Sequence, residues 1–310
     1  MTEYLKDRPY LEYGSRLYPA MLSLIPNPPE RLYFAGSIEA LKLPMIAVVG
    51  SRTSTDYGRW AAYTIAKRLS EFGVCVVSGL AEGIDTWAHK GALAGGTPTI
   101  AVLGEGLNHC FPQSNRGLMN AIEKQGLLLS EYEDGVHATK YTFPARNRII
   151  SGLSCATVVV EAGFSSGALI TAEHAVDQGR EVYAVPGNIN RISSVGCNKL
   201  ILDGVRPLVF IDDILADFNI DTNIPESLGK LLSAEEKRVM DYVKQYGEIS
   251  VDRLAAETGL PIGALTSVVT LLEIKGAVFT GAGKVFAGGR TPQSEKKVSE
   301  NLLTSSVKNV

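Results

Sequence analysis

The sequence predicts an α/β fold: a mostly parallel sheet between helices, with a second, smaller module of helices and a hairpin towards the C-terminal end. Three observations lead there. Between Met45 and Val185 six short apolar runs alternate with helical patterns, and buried strands that alternate with helices make βαβ units. Gly- and Ser-containing turns follow these runs, as the crossings of a sheet covered on both faces require. A polar, breaker-rich stretch at 219–229 (NIDTNIPESLG) then separates the alternation from three further helical patterns.

In chain order, residues 1–43 are rich in Pro and Tyr and read as a lead-in of short helical and extended pieces. Strands are expected at 45–49, 74–77, 99–103, 127–129, 157–160 and 181–185, each short and largely apolar. Helices are expected between them at 57–72, 86–94, 116–124, 145–152 and 168–178. A helix, strand and helix at 197–205, 207–210 and 211–218 close this domain, which spans 44–218. After the 219–229 linker, a module over 230–287 holds helices at 234–246, 251–258 and 262–275. A hairpin at 277–287 follows, with Gly281 and Gly283 in its turn. Three helices and a hairpin in that order make a winged-helix-like pattern. The polar tail 288–310 has no apolar period and is expected to be disordered.

Apolar residues make up 45% of the 310, enough to fill a sizeable core, and the formal net charge is −3. Any site for a polyanion must therefore gather its cations locally. Cys75, Cys110, Cys155 and Cys197 are widely spaced and form no CxxC pair, which reads as buried free thiols in a reducing compartment. The four histidines show no metal-ligand spacing, so no metal is expected. No apolar run approaches the ~20 residues of a membrane span. The opening MTEYLKDRPY lacks an apolar signal core. The expectation is a soluble, cytoplasmic protein.

Chemistry concentrates in the loops after the strands. The first, Gly50-Ser51-Arg52-Thr53-Ser54, precedes a helix; glycine allows close backbone approach, the helix start offers N–H groups to an anion, and Arg52 adds a cationic fork. It is not GxGxxG and has no acidic ribose partner in frame, so no dinucleotide cofactor is expected. The second, 78–85 (SGLAEGID), places Asp85 one helical turn before His89, where the two could pair. The third, 140–148 (KYTFPARNR), is the most distinctive. Lys140, Phe143, Arg146 and Asn147 supply cations, an aromatic face and an amide suited to unpaired bases and their phosphates. Arg146 and Arg148 project about 200° apart on a helix, so one is expected to face the ligand and the other to form a structural ion pair. The fourth loop contains Ser165, Ser166 and Gly167. The fifth follows the last long strand and contains Asn188, with Asn198 and Lys199 downstream. In a parallel sheet all five open on the same edge.

At these loops the sequence resembles the DprA (DNA processing protein A) family, also called Smf. The matching stretches are VVGSR at 48–52, SGLAEGIDTWAHKGAL at 78–93, FPARNRIISGLS at 143–154, VVVEAGFSSGALITAEHA at 158–175 and REVYAVPGNI at 180–189. The lead-in YPAMLSLIPNPPERLYFAG resembles the family too, so that the match spans roughly 18–287. The resemblance implies an extended Rossmann-like fold that binds single-stranded DNA without catalysing a reaction. It implies a homodimer that protects incoming strands and loads the RecA recombinase during natural transformation. The family's pocket cations and aromatic fall on Arg52, Lys140 and Phe143, with Arg146 and Asn147 nearby. Its dimer contact, late in the main domain, suggests Leu200, Ile201 and Leu208.

Two departures shape the expectation. The segment before Met45 is too short for the sterile-alpha-motif-type helical domain that some members carry. The third helix of the C-terminal module has no cation before Lys275, whereas a helix that reads a major groove offers Arg, Lys, Asn or Gln; that module is expected to contact protein or only phosphates. An enzyme is the alternative: the region from Glu161 to Glu173 faintly resembles the glycine-rich signature of nucleotide-binding phosphoribohydrolases, where Glu161 or Glu173 would act on the glycosidic bond.

Overall fold

The computed structural model describes residues 8–220, 232–274, 277–281 and 283–287. Two compact units divide the chain between Asp213 and Ile214. The first is built on a nine-stranded sheet. In chain order its strands are β1 (Tyr10–Glu12), β2 (Arg31–Gly36), β3 (Met45–Val49), β4 (Cys75–Ser78), β5 (Thr99–Leu103), β6 (Leu127–Ser130), β7 (Ala156–Val159), β8 (Glu181–Ala184) and β9 (Arg206–Pro207). Across the sheet they run β1-β2-β6-β5-β4-β3-β7-β8-β9. The seven strands from β6 to β9 are parallel.

The parallel strands read as continuous apolar runs because both faces are covered. Every residue of β3, β4, β5, β6 and β7 is buried. Alternate residues serve opposite faces. Met45, Ala47 and Val49 join a core with helices α1 (Ala20–Ser23), α5 (Thr142–Leu153), α6 (Gly167–Asp177) and α7 (Val195–Leu202). Ala101, Leu103 and Leu128 join the other face, packed against Met119 and Ile122 of α4 (Arg116–Gln125). Helices α2 (Asp56–Glu71) and α3 (Ile84–Gly95) pack together beside α4 on that side.

The structure extends the lead-in into the fold. Strand β2 pairs antiparallel with β6, and β1 with β2, so residues expected as loose pieces cover an edge that β6 would otherwise leave open. Helix α5 starts at Thr142 rather than 145, because the Thr139 hydroxyl accepts from the Tyr141 and Thr142 amides and Pro144 fits a first turn that needs no N–H donor. The late segment also shifts: α7 ends at Leu202, and β9 is only two residues long.

Helix α8 (Ile211–Asp217) crosses the division. The second unit holds α9 (Ala234–Tyr246), α10 (Val251–Thr258) and α11 (Ile262–Ile274), with β10 (Glu248–Ser250), β11 (Val278–Gly281) and β12 (Lys284–Ala287). Ser233 and Glu236 form a reciprocal capping box at the start of α9, and the Ser250 hydroxyl caps α10. The expected hairpin is β11–β12; β10 adds a third antiparallel strand beside β12. Val239, Val243, Leu254, Leu265, Leu272 and Val285 form its own core. Residues 221–229 of the expected linker, Lys275, and the expected tail 288–310 lie outside the described residues. Among the described residues no single helix is long and apolar enough to cross a membrane.

Candidate nucleic-acid interface

The chain runs outward from β3 to β4, β5 and β6, then returns to place β7 on the other side of β3. This reversal opens a crevice at the carboxyl ends of the strands, the usual ligand position in such sheets. Here the loops that form it are laced together. Ser51 N–H donates to the Glu161 carbonyl at 2.7 Å, and Ile84 N–H donates to the Ser51 carbonyl at 3.1 Å. Gly83, at φ +76°, lets the second loop pass so close that any Cβ would collide with the Ser51 and Arg52 carbonyls.

On the outer rim the sequence-expected cation and aromatic meet. Arg52 is exposed, and its guanidinium carbon lies 4.8 Å from the centroid of the Phe143 ring, a cation–π distance. Phe143 in turn lies 5.7 Å from the ring of Phe111. Phe111, on the loop after β5, was not singled out by sequence; its signal was an aromatic amid turn residues. Lys140 is exposed at the start of α5, with its ammonium 5.0 Å from the Tyr141 ring. The outcome is two cation–aromatic contacts, Arg52 with Phe143 and Phe111 behind it, and Lys140 with Tyr141 just before α5, the chemistry that stacks bases and neutralises the phosphates between them.

Arg146 lies beneath this rim rather than on it. It is 3% exposed, and its guanidinium donates to the Gly79 carbonyl at 2.8 Å and to the Val102 carbonyl. These carbonyls lie at the ends of β4 and β5, so Arg146 ties two loops from below and is corrected from a ligand-facing to a positioning residue. Burial lowers its pKa to about 10, and the nearby Asp85 opposes that shift. Asp85 accepts from the Gly79 and Ala81 amides rather than pairing with His89, which bonds Thr99. Burial raises the Asp85 pKa. Arg148 makes the expected structural ion pair, with Glu131 at 2.5 Å.

The crevice itself is filled from within. The Glu161 carboxylate, buried, accepts from Thr55 N–H at 2.9 Å and Thr55 Oγ1 at 2.6 Å. Thr55 is the N-cap of α2, so a side-chain carboxylate occupies the place where other sheets of this order hold a phosphate. Gly58 makes the room: a Cβ there would collide with that carboxylate. Gly50 likewise serves internal packing, since a Cβ would lie 2.6 Å from Ile84. Of the two glutamates named for the enzyme alternative, Glu161 is thus buried and bonded to Thr55, and Glu173 is exposed on α6.

The remaining expected residues divide. Asn147 donates to the Gly167 carbonyl at 3.2 Å, joining α5 to the fourth loop. Ser165 and Gly167 are exposed there, and the Ser166 hydroxyl caps α6. Asn188 is exposed on the loop after β8, two strand positions, or about 10 Å, from β3. One candidate is corrected, and another forms an exposed pair. The Asn198 amide is held on Gly187 through both its N–H and C=O, at 3.1 and 3.0 Å. Lys199 pairs with Asp203 at 2.9 Å, which raises its pKa. Among the expected dimer contacts, Leu208 is buried in its own chain and Leu200 and Ile201 pack against the core; exposed apolar residues nearby include Leu202 (85%), Val209 (64%) and Phe210 (42%).

A Rossmann-like α/β domain with antiparallel edge strands, joined to a winged-helix domain, defines a class of two-domain DNA-processing proteins. The model of the DNA recombination-mediator protein A family matches residues 10–219, and that of the DprA winged helix domain matches 225–284. The chain belongs to this DprA/Smf family. It is 44% identical over 201 residues to the DNA processing protein DprA of Streptococcus pneumoniae, covering 65% of this chain and 71% of that one. Over 273 residues it is 36% identical to the Smf protein of Escherichia coli, covering 84% and 72%. The X-ray structure of the pneumococcal protein superposes with a TM-score of 0.66 at 42% identity, over 69% of this chain and 75% of that one. DNA processing protein A from Helicobacter pylori superposes with a TM-score of 0.62 at 29% identity, over 68% and 94%; its structure describes a single-stranded-DNA binding mode.

Proposed function

We propose that this protein binds single-stranded DNA along the rim formed by Arg52, Lys140 and Phe143, with Phe111 as a further stacking face. Asn147, Ser165, Gly167 and Asn188 extend that path along the sheet edge. In this reading it acts without catalysis in the cytoplasm, protecting incoming strands and delivering them to RecA during natural transformation and recombination. The observation that supports the reading most is the Arg52 guanidinium set over the Phe143 ring, an exposed cation on a half-buried aromatic. The family's H. pylori member, whose structure describes single-strand binding, supports it. The protein acts as a homodimer through the edge at β9, where Leu202 and Val209 supply exposed apolar surface.

Binding should tolerate sequence and weaken steeply with salt, and two substitutions separate its parts. Arg52→Ala should weaken an oligothymidine roughly tenfold and flatten the log–log salt slope by about 0.7, one phosphate's share on a single strand. Phe143→Ala should weaken it by a similar factor at an unchanged slope, because stacking releases no counterions. Fluorescence anisotropy across salt concentrations reads both. Parental affinity in both variants would refute the rim. RecA filament growth on strands coated with single-strand-binding protein tests delivery; no acceleration by the parent would remove that part.

A further inference from the structure

The chain has two tryptophans, and they lie on the two helices that follow the Arg52 and Gly79 loops. Trp87, on α3, helps line an open pocket of about 450 Å³ with Arg52, Thr53, Ser54, Arg59 and Glu82. Arg59 is held loosely: its Nε lies 3.3 Å from Ser54 Oγ, and its guanidinium lies 3.5 Å from Asp56, whose carboxylate is fully exposed. Such a solvated pair contributes little and is readily exchanged for a phosphate. Lys90 places its ammonium 4.6 Å from the Trp87 ring centroid, and Tyr63 stands edge-on to that ring at 6.4 Å. Trp60, on α2, is 62% exposed beside Tyr57. Arg52 and Arg59 are the cations of the lining and Lys90 stands over the indole; Glu82, the lining carboxylate, already takes a bond from the Ser114 hydroxyl, and Glu161 behind Thr55 is bonded to it.

We propose that this pocket seats a nucleotide of the same strand as it continues past the Arg52–Phe143 contact, with a phosphate between Arg52 and Arg59 and its base on Trp87. The proposal rests on the single-strand reading and deepens it. Arg52 belongs to both places, since it stands over Phe143 and also lines the pocket. A strand gripped at the rim therefore already has a phosphate at the pocket's mouth. Hydroxyls, two guanidiniums and an indole in one concavity suit an unstacked nucleotide and read no sequence.

The test uses the full chain. Trp60→Phe leaves Trp87 as the single tryptophan, so its emission reports the pocket alone. An oligothymidine of about 20 nucleotides should quench that emission, and Arg59→Ala and Trp87→Leu should each weaken its binding roughly tenfold. A strand of about 4 nucleotides, near the lower limit of a single-strand site, should bind the parent and both variants alike. Unchanged emission together with parental long-strand affinity in both variants overturns the proposal. The rim then still stands if Phe143→Ala weakens the short strand. A short strand bound equally by parent and Phe143→Ala overturns the single-strand reading and the proposal with it. Quenching by thymidine monophosphate but not by the strand makes the pocket a free-nucleotide seat, and also overturns the proposal. Arg59 meets only exposed partners, so its variant keeps the test valid if Trp87→Leu loosens the packing of α2 on α3.

Discussion

His89 shows what burial at the base of this site costs. Its Nδ1 lies 2.9 Å from Thr99 Oγ1, whose own proton goes to the Val76 carbonyl at 2.7 Å. Nδ1 must therefore be the donor, and Nε2 has no hydrogen-bond partner among the described residues. Burial, reinforced by the Arg146 charge, lowers the imidazole pKa to about 3, whereas in an unfolded chain it titrates near ~6.5. Between those values the unfolded state binds a proton that the native state refuses. The stability associated with His89 is thus complete above about pH 6.5 and is lost as pH falls towards 3. His89→Gln should flatten the decline of the urea midpoint between about pH 7 and 4; parallel parent and variant curves would remove His89 as its source. Asp85, raised by burial, works in the opposite sense, so the comparison must be parent against variant. At this scale residue types were legible but depth was not. The KYTFPARNR stretch announced cations and aromatics, yet α5, which begins after the exposed Lys140 and sets Phe143 against Arg52, buries Arg146. Helical periodicity alone could not say which arginine would find carbonyl partners inside.

Elements were legible in proportion to how much each buries by itself. The five central strands are continuous apolar runs and were read within a residue or so. Strands β1 and β10 were missed because each is three residues with a single buried side chain, Leu11 and Ile249; their pairing partners, not their composition, make them strands. Helix α11 behaves as its sequence suggests. Leu265, Val268, Val269 and Leu272 face the domain core, while Thr266, Ser267, Thr270 and Leu271 are exposed. The Thr266 and Ser267 hydroxyls are turned back to carbonyls of their own helix, and Ile262–Ile274 holds no cation. A fragment over 230–290 should therefore bind duplex DNA no better than non-specifically, with Kd weaker than about 10⁻⁶ M at physiological salt. Tight, sequence-dependent retardation of a duplex by that fragment would assign groove reading to this helix after all.

Across the whole first unit, the parallel run of strands follows from the alternation of apolar runs and helices, and with it the gathering of distant loops on one edge; the order of the strands does not. The far edge was harder to read, because which late apolar residues are spent on the core depends on where α7 stops. Since Leu208 is buried at home and Leu202 and Val209 are exposed, paired Leu202→Asp and Val209→Asp substitutions should shift a sedimenting dimer to monomer without lowering the melting temperature. A parent that sediments as a monomer would dispose of that edge as an interface. Glu161 bears on something broader: how the start of α2 is completed. Where relatives in topology would be completed by a diffusible diphosphate, this one carries a tethered acid that cannot wash out. The start of α2 is thereby completed by the chain itself, its amide and hydroxyl already answered by an acid from the far side of β3.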